Sequence, residues 1–179
     1  MRRIVNLVQD AAQSIPGWGS LCPGQERTLA PFIRDKVVAD LGCGNGSLSD
    51  RLEAMGAAKC LRIDKTQAPI TRLFQEGPGD LVYDVAFVSW PSNNQSATAL
   101  IPWLMRAEIV VYLGSNFDGT ACGTREFFAY LQMRELLAYV PDRANSLIIV
   151  GKPLEISRPP TDEELAATSD TALSYKLDR

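Results

Sequence analysis

An apolar run, Val37-Val38-Ala39-Asp40-Leu41, opens directly into Gly42-Cys43-Gly44-Asn45-Gly46, and a second run, Leu61-Arg62-Ile63, ends on Asp64. This order reads as buried strand, glycine turn, helix and second strand. Glycine removes the side chain where backbone must turn tightly or pass close to a ligand. A carboxylate closing the next strand then falls beside that turn. In open α/β sheets, such a turn lets backbone approach a nucleoside-containing cofactor while the acid accepts from its ribose hydroxyls. Gly42, Gly44 and Gly46 are candidate cofactor contacts, as is Asp64, about 20 residues after Gly44. Packing alone would explain a lone GxGxG equally well; Asp40 before it and Asp64 after it favour the ligand.

The rest of the chain supplies strands and helices in alternation. Strands are expected over 36–41, 59–63, 82–88, 108–113 and 146–150, with a short edge strand in Ile70–Phe74. A helix follows Gly46, carries Leu48, Leu52 and Met55 on one face and ends at Gly56. A second spans 97–106 with a kink at Pro102. Thr124 caps a third, whose apolar face runs Phe127, Tyr130, Leu131, Leu137 and Ala138, interrupted by Arg134. Helices are also expected over 2–14 and around Leu29, Phe32 and Ile33. Ala172–Leu177 alternates like a last strand. The fold class expected is α/β and Rossmann-like: a mainly parallel twisted sheet of about six to seven strands, helices on both faces, the middle region shortened. A single domain over 1–179 is expected, with a helical extension at 1–35, a core at 36–150 and a C-terminal segment at 151–179. The glycine-rich or irregular loops at 42–46, 64–66, 89–94 and 114–124 all follow strands. They therefore converge on the carboxyl edge of the sheet, where ligands bind.

Composition excludes several chemistries. The chain has no His, which rules out Ser–His and Cys–His catalysis within one subunit and His-containing metal sites. Its four cysteines, at 22, 43, 60 and 122, include no CxxC pair, so no metal site is expected and reduced thiols are the better reading. Cys43 and Cys122 lie in the two glycine-rich loops near any ligand, although small-residue packing explains both more simply. A net charge of −3 argues against a broad basic surface wrapped on nucleic acid. No apolar run approaches the ~20 residues that span a bilayer. The N-terminal residues lack an apolar signal region, so a cytoplasmic protein is expected.

Over roughly residues 36–150 the chain resembles the class I S-adenosylmethionine-dependent methyltransferases. Asp40, Gly42, Gly44 and Gly46 match the first motif of that family, and Asp64 the second. Tyr83-Asp84-Val85-Ala86-Phe87-Val88-Ser89-Trp90-Pro91 is similar to the fourth, where a strand ends beside the reactive methyl. The resemblance implies a seven-stranded sheet whose last strand runs antiparallel, and S-adenosylmethionine as cofactor. Asp40 would suit its ammonium end, the loop residue Cys43 would lie near the cofactor, and Asp64 on the ribose. Lys65 would flank the adenine, or simply be a solvated lysine. Ser89 would orient an acceptor amine. Trp90 would stack on a planar acceptor or close over the cofactor, unless it is a core aromatic. Asn116 and Asp118, in the loop after the next strand, are candidate acceptor contacts; a plain turn explains the same residues equally well.

The chain departs from the family in two places. The stretch from Asp64 to Asp84 is too short for the usual helix and third strand, and Asp80 is a weak counterpart of the acid that reads adenine. Ser89-Trp90-Pro91-Ser92 lacks the leading amide or acid and the terminal aromatic of amino-methylating members. The favoured function is methyl transfer to a small-molecule or other compact acceptor. Two alternatives stay open. One is a nucleic-acid or protein methyltransferase working with a partner subunit, favoured if Arg2, Arg3, Arg27 and Arg34 converge. The other is a non-catalytic binder of the same cofactor. A nicotinamide-dependent reductase fits worst, because Ser47 breaks GxGxxG and no Tyr-x-x-x-Lys occurs.

Overall fold

The computed structural model describes residues 20–65, 70–71, 74–115, 122–142 and 145–154. The expected helix over 2–14 and strand over 172–177 lie outside them. The elements in chain order are α1 (Pro23–Ile33), β1 (Val37–Leu41), α2 (Ser47–Ala54), β2 (Lys59–Asp64), β3 (Ile70–Thr71), a 3-10 turn (Phe74–Glu76), β4 (Val85–Ser89), α3 (Gln95–Thr98), α4 (Ile101–Arg106), β5 (Ile109–Gly114), α5 (Arg125–Gln132), β6 (Arg134–Val140) and β7 (Ser146–Pro153).

Seven strands form one sheet in the order β3-β2-β1-β4-β5-β7-β6. β1 to β5 pair in parallel, β7 runs antiparallel to β5, and β6 antiparallel to β7. The chain starts mid-sheet at β1, moves outward to β3, then returns to β4 on the other side of β1. That reversal opens a crevice at the carboxyl ends of β1 and β4, where α/β sheets bind ligands.

The central strands are apolar almost throughout because helices cover both sheet faces. On one face α1 and α2 contribute Leu29, Ile33 and Leu52 to a core with Val38, Val85, Phe87, Val111 and Ile149. On the other, Leu100, Trp103, Leu104, Phe127 and Leu131 pack on Ala39, Ala86, Val88, Val110 and Tyr112. Among the described residues preceding β1, α1 thus contributes to the core through Leu29 and Ile33.

Several boundaries differ from expectation for physical reasons. Val82–Asp84 is not strand. Val82 is exposed, the Tyr83 hydroxyl donates to Trp103 O (2.7 Å), and the Asp84 carboxylate accepts the Val37 N–H (2.8 Å) at the foot of β1. The helix over 97–106 is two helices, with Pro102 in the first turn of the second, where its missing N–H costs nothing. Among the described residues of the middle region, Ile70–Thr71 pairs with β2, and Phe74 enters the 3-10 turn instead.

The largest correction concerns residues 134–140, which do not continue the helix begun at Thr124. That helix ends at Gln132, and after Met133 the seven residues Arg134–Val140 form the edge strand β6. Arg134 decides this. It is 3% exposed. Its guanidinium donates to Gly151 O (2.5 Å), Leu104 O (3.2 Å), Ala107 O (2.8 Å), Glu108 O (2.9 Å) and the Tyr130 hydroxyl (2.7 Å). Arg134 therefore caps the carboxyl end of α4 and ties it to β7.

Candidate active site at the carboxyl edge of the sheet

The loop after β1 turns on three glycines with φ of 85°, 54° and 80° at Gly42, Gly44 and Gly46. These left-handed conformations are ones that side-chain-bearing residues adopt at a cost. The loop is anchored to β2: Gly42 N–H and Cys43 N–H both donate to Ile63 O (2.8 and 3.2 Å), and Gly46 N–H closes the turn on Cys43 O (2.9 Å). Asp64 joins the two motifs directly, because its Oδ2 accepts the Gly44 N–H at 3.2 Å.

Above this loop lies a cleft of about 290 Å³. Leu41, Gly42, Asp64, Lys65, Ser89, Trp90 and Pro91 are among the residues that line it. Gly42, Asp64, Lys65, Ser89 and Trp90 are thereby brought together from three separate strand ends. The remaining wall was missed by sequence reasoning. It comprises Phe74 and Gln75 of the 3-10 turn, with Ser96, Ala97 and Leu100 from α3 and the turn after it. Phe74 is held edge-on to Trp103 (centroids 6.0 Å, 84°), whose indole donates to Phe74 O at 3.0 Å. A Cβ added at Gly42 would stand 3.9 Å from the Phe74 ring, so the glycine keeps that part of the cleft open. The aromatic followed by an amide in Phe74-Gln75 was the available signal, but a two-residue strand before it leaves no period to read. Asp80 is exposed and does not line the cleft.

Trp90 sits at φ 48°, unusual for a bulky residue. Its N–H donates to Leu113 O (2.8 Å) and its indole Nε1 to Asn145 Oδ1 (2.9 Å). Gly123 N–H donates to Pro91 O (2.8 Å), so the loop after β5 is stitched to the loop after β4. Asn116 and Asp118 lie outside the described residues.

Four of the expected cofactor contacts, Asp40, Cys43, Gly44 and Gly46, are not among the residues that line the cleft. Asp40 is 1% exposed, with Oδ2 accepting from Ser49 Oγ of α2 at 2.5 Å. Cys43 is buried, and burial first, then the Asp40 and Asp64 charges, push its thiol up to about 11, so it is not a thiolate at neutral pH. Among the described residues no cluster of His, Cys, Asp and Glu is fit to hold a metal, and no helix is long and apolar enough to cross a membrane.

Burial also pushes Asp40 up to about 6, against the lowering effects of the Ser49 hydroxyl and Arg62. Between the ordinary carboxylate range and about 6, folded Asp40 keeps a proton that the unfolded chain has released. The stability this provides is complete below the unfolded value and is lost as pH rises through about 6. Asp40→Asn stays neutral throughout. The variant is therefore expected to gain on the parent by about 2 kcal/mol between pH 4 and 7. Urea unfolding of both proteins at the two pH values measures this, and a difference independent of pH would contradict it.

No protein-family description and no curated protein sequence matches this chain. Solved structures do. One is a protein from Pyrococcus horikoshii described as an RNA methyltransferase (TM-score 0.56, 14% identity, 86% of this chain and 100% of that one). A second is 1,6-didemethyltoxoflavin N1-methyltransferase from Burkholderia thailandensis, solved with that compound and S-adenosylhomocysteine (0.56, 15%, 86% and 87%). A third is a 16S rRNA methyltransferase from T. thermophilus, in complex with AdoMet and guanosine (0.53, 14%, 75% and 44%). The fold is the Rossmann-like fold of the class I S-adenosylmethionine-dependent methyltransferases.

Proposed function

We propose that this chain binds S-adenosylmethionine in the cleft and transfers its methyl group to a compact acceptor. The observation carrying this reading is the joining of the glycine loop to Asp64 through the Gly44 N–H, beside a cleft that Asp64, Ser89 and Trp90 line. The acceptors of the neighbours range from a small heterocycle to ribosomal RNA, so the fold is neutral on the acceptor. The net charge of −3 favours a small molecule over a polyanion.

The residues fit a phosphate-free cofactor. In a dinucleotide site the N–H groups of the glycine loop and helix N-terminus receive a pyrophosphate. Here the Gly44 N–H already meets a carboxylate, and the Ser47 N–H meets Asn45 Oδ1 at 3.1 Å. A pyrophosphate would lie against Asp64. A ribose would not suffer this, since a carboxylate accepts several hydrogen bonds and its two oxygens match vicinal hydroxyls. Phe74 offers an apolar face for the base, and Gln75 an amide beside it.

When bound, S-adenosylmethionine supplies an electrophilic methyl on a sulfonium. Held by the glycine loop and Asp64, the cofactor would offer that methyl to an acceptor lone pair at the expense of the carbon–sulfur bond, with a neutral thioether as the leaving group. The chain contributes alignment and exclusion of water. Trp90 and Pro91 wall the acceptor side, and Ser89 presents a hydroxyl to orient the nucleophile. No His is present to take a proton, which suits an acceptor that attacks through a lone pair already available, such as an amine or ring nitrogen.

Calorimetric titration with S-adenosylmethionine and S-adenosylhomocysteine, with NADH as control, tests the reading. Binding of the first two only is expected. Asp64→Ala is expected to weaken that binding by about 1–3 kcal/mol through loss of the ribose bonds. A folded protein that ignores both sulfur compounds sinks the proposal, and unchanged affinity in Asp64→Ala sinks the ribose role.

A further inference from the structure

Trp90 occupies a left-handed conformation at the end of β4 while facing the cleft, which requires an anchor elsewhere. The anchor stands 55 residues later, at Asn145, one residue before β7. Asn145 Oδ1 accepts the indole N–H at 2.9 Å. The other end of the same amide donates through Nδ2 to Ser20 O at 2.6 Å. The Asn145 carbonyl accepts from Nε2 of Gln25, a side chain 1% exposed, whose Oε1 accepts the Cys22 N–H at 3.0 Å. Through its side-chain amide and its main-chain carbonyl, Asn145 therefore connects the cleft, the entry to β7 and the first turn of α1.

We infer that Asn145 is a positioning residue for Trp90. Its amide oxygen orients the indole across the cleft, and its amide nitrogen couples that orientation to the chain entering α1 at Ser20. An asparagine suits this place because it holds an acceptor and a donor rigidly at opposite ends of one planar group. Leucine would fill similar volume and do neither. Ordering an aromatic wall before a ligand arrives lowers the entropy lost on binding.

The first test is hydrogen exchange of the Trp90 indole N–H by NMR in the full chain, the resonance being identified by its absence in Trp90→Phe. In Asn145→Ala this N–H is expected to exchange about tenfold faster, as loss of one hydrogen bond allows. The Trp103 indole, bonded to Phe74 O, should keep its rate. Asn145→Asp keeps an oxygen for the indole and removes the donor to Ser20, so Trp90 should exchange there as in the parent. An unchanged rate in Asn145→Ala overturns the assignment. So does an Asn145→Asp rate as fast as that of the alanine variant.

The second arm rests on the cofactor reading above. Asn145→Ala should weaken S-adenosylhomocysteine binding about threefold to tenfold in the parent and leave it unchanged in a Trp90→Phe background, as expected of two residues acting as one unit. Equal weakening in both backgrounds means that Asn145 does not act through Trp90. A parent that binds no S-adenosylhomocysteine, yet shows the exchange difference, rejects the cofactor and supports the positioning role.

Discussion

Arg134→Met is expected to lower stability by roughly 3–5 kcal/mol, read as a fall in the urea midpoint with an unchanged slope. Methionine keeps the length and much of the apolar stem, so the loss reports on the guanidinium. That group donates to four main-chain carbonyls drawn from α4, the link into β5, and β7. Buried carbonyls left without a donor each carry a desolvation penalty. Relief from burying the charge offsets part of it, because the described contacts of Arg134 are carbonyls and the Tyr130 hydroxyl rather than a carboxylate. Arg134→Lys should rescue little, since a single ammonium does not reach four acceptors in a planar fork. A midpoint within error of the parent would show that water replaces the guanidinium at no cost.

Trp103→Ala is expected to destabilise by about 3–5 kcal/mol and also to distort the cleft. Trp103 is fully buried and belongs to the core under α4. Its truncation opens a cavity that neighbouring side chains on a short helix fill only in part. The second consequence follows from the indole, which donates to Phe74 O and packs against the Phe74 ring. Phe74 is a wall of the cleft, so ligand affinity should fall along with stability. Trp103→Phe separates the two effects: it refills much of the volume but leaves Phe74 O without its donor. Loss of S-adenosylhomocysteine affinity in a stable Trp103→Phe would show that the bond positions Phe74. Full affinity there would reduce Trp103 to packing alone.

The parts of the site visible in the sequence are those built from short stretches of chain. Gly42, Gly44 and Gly46 announce a turn because their φ values demand it, and Asp64 announces itself by closing a strand. β1, β4, β5 and β7 were legible as apolar runs because both sheet faces are covered, so almost every side chain in them is buried. β6 was not legible. Arg-Glu-Leu-Leu-Ala-Tyr-Val has helix-forming residues, and as a half-exposed edge strand with register shifts it lacks a clean alternation.

Asp40 shows the division within one motif. Its place before the glycines is local and readable, yet its side chain turns under the loop to Ser49, a choice made by packing of α2 on β1. Phe74, Arg134 and Asn145 owe their roles entirely to partners remote in sequence: Trp103, the carbonyls of α4, and Trp90. Backbone dihedral demands and burial patterns are properties of neighbouring residues. The sequence alone therefore determined the glycine turn, the alternation of strands and helices through β5, and the carboxyl edge as the place of the cleft. Hydrogen bonds across distant segments exist only once the layers are packed. Only the tertiary structure decided which side chains wall the cleft and which hold those walls in place.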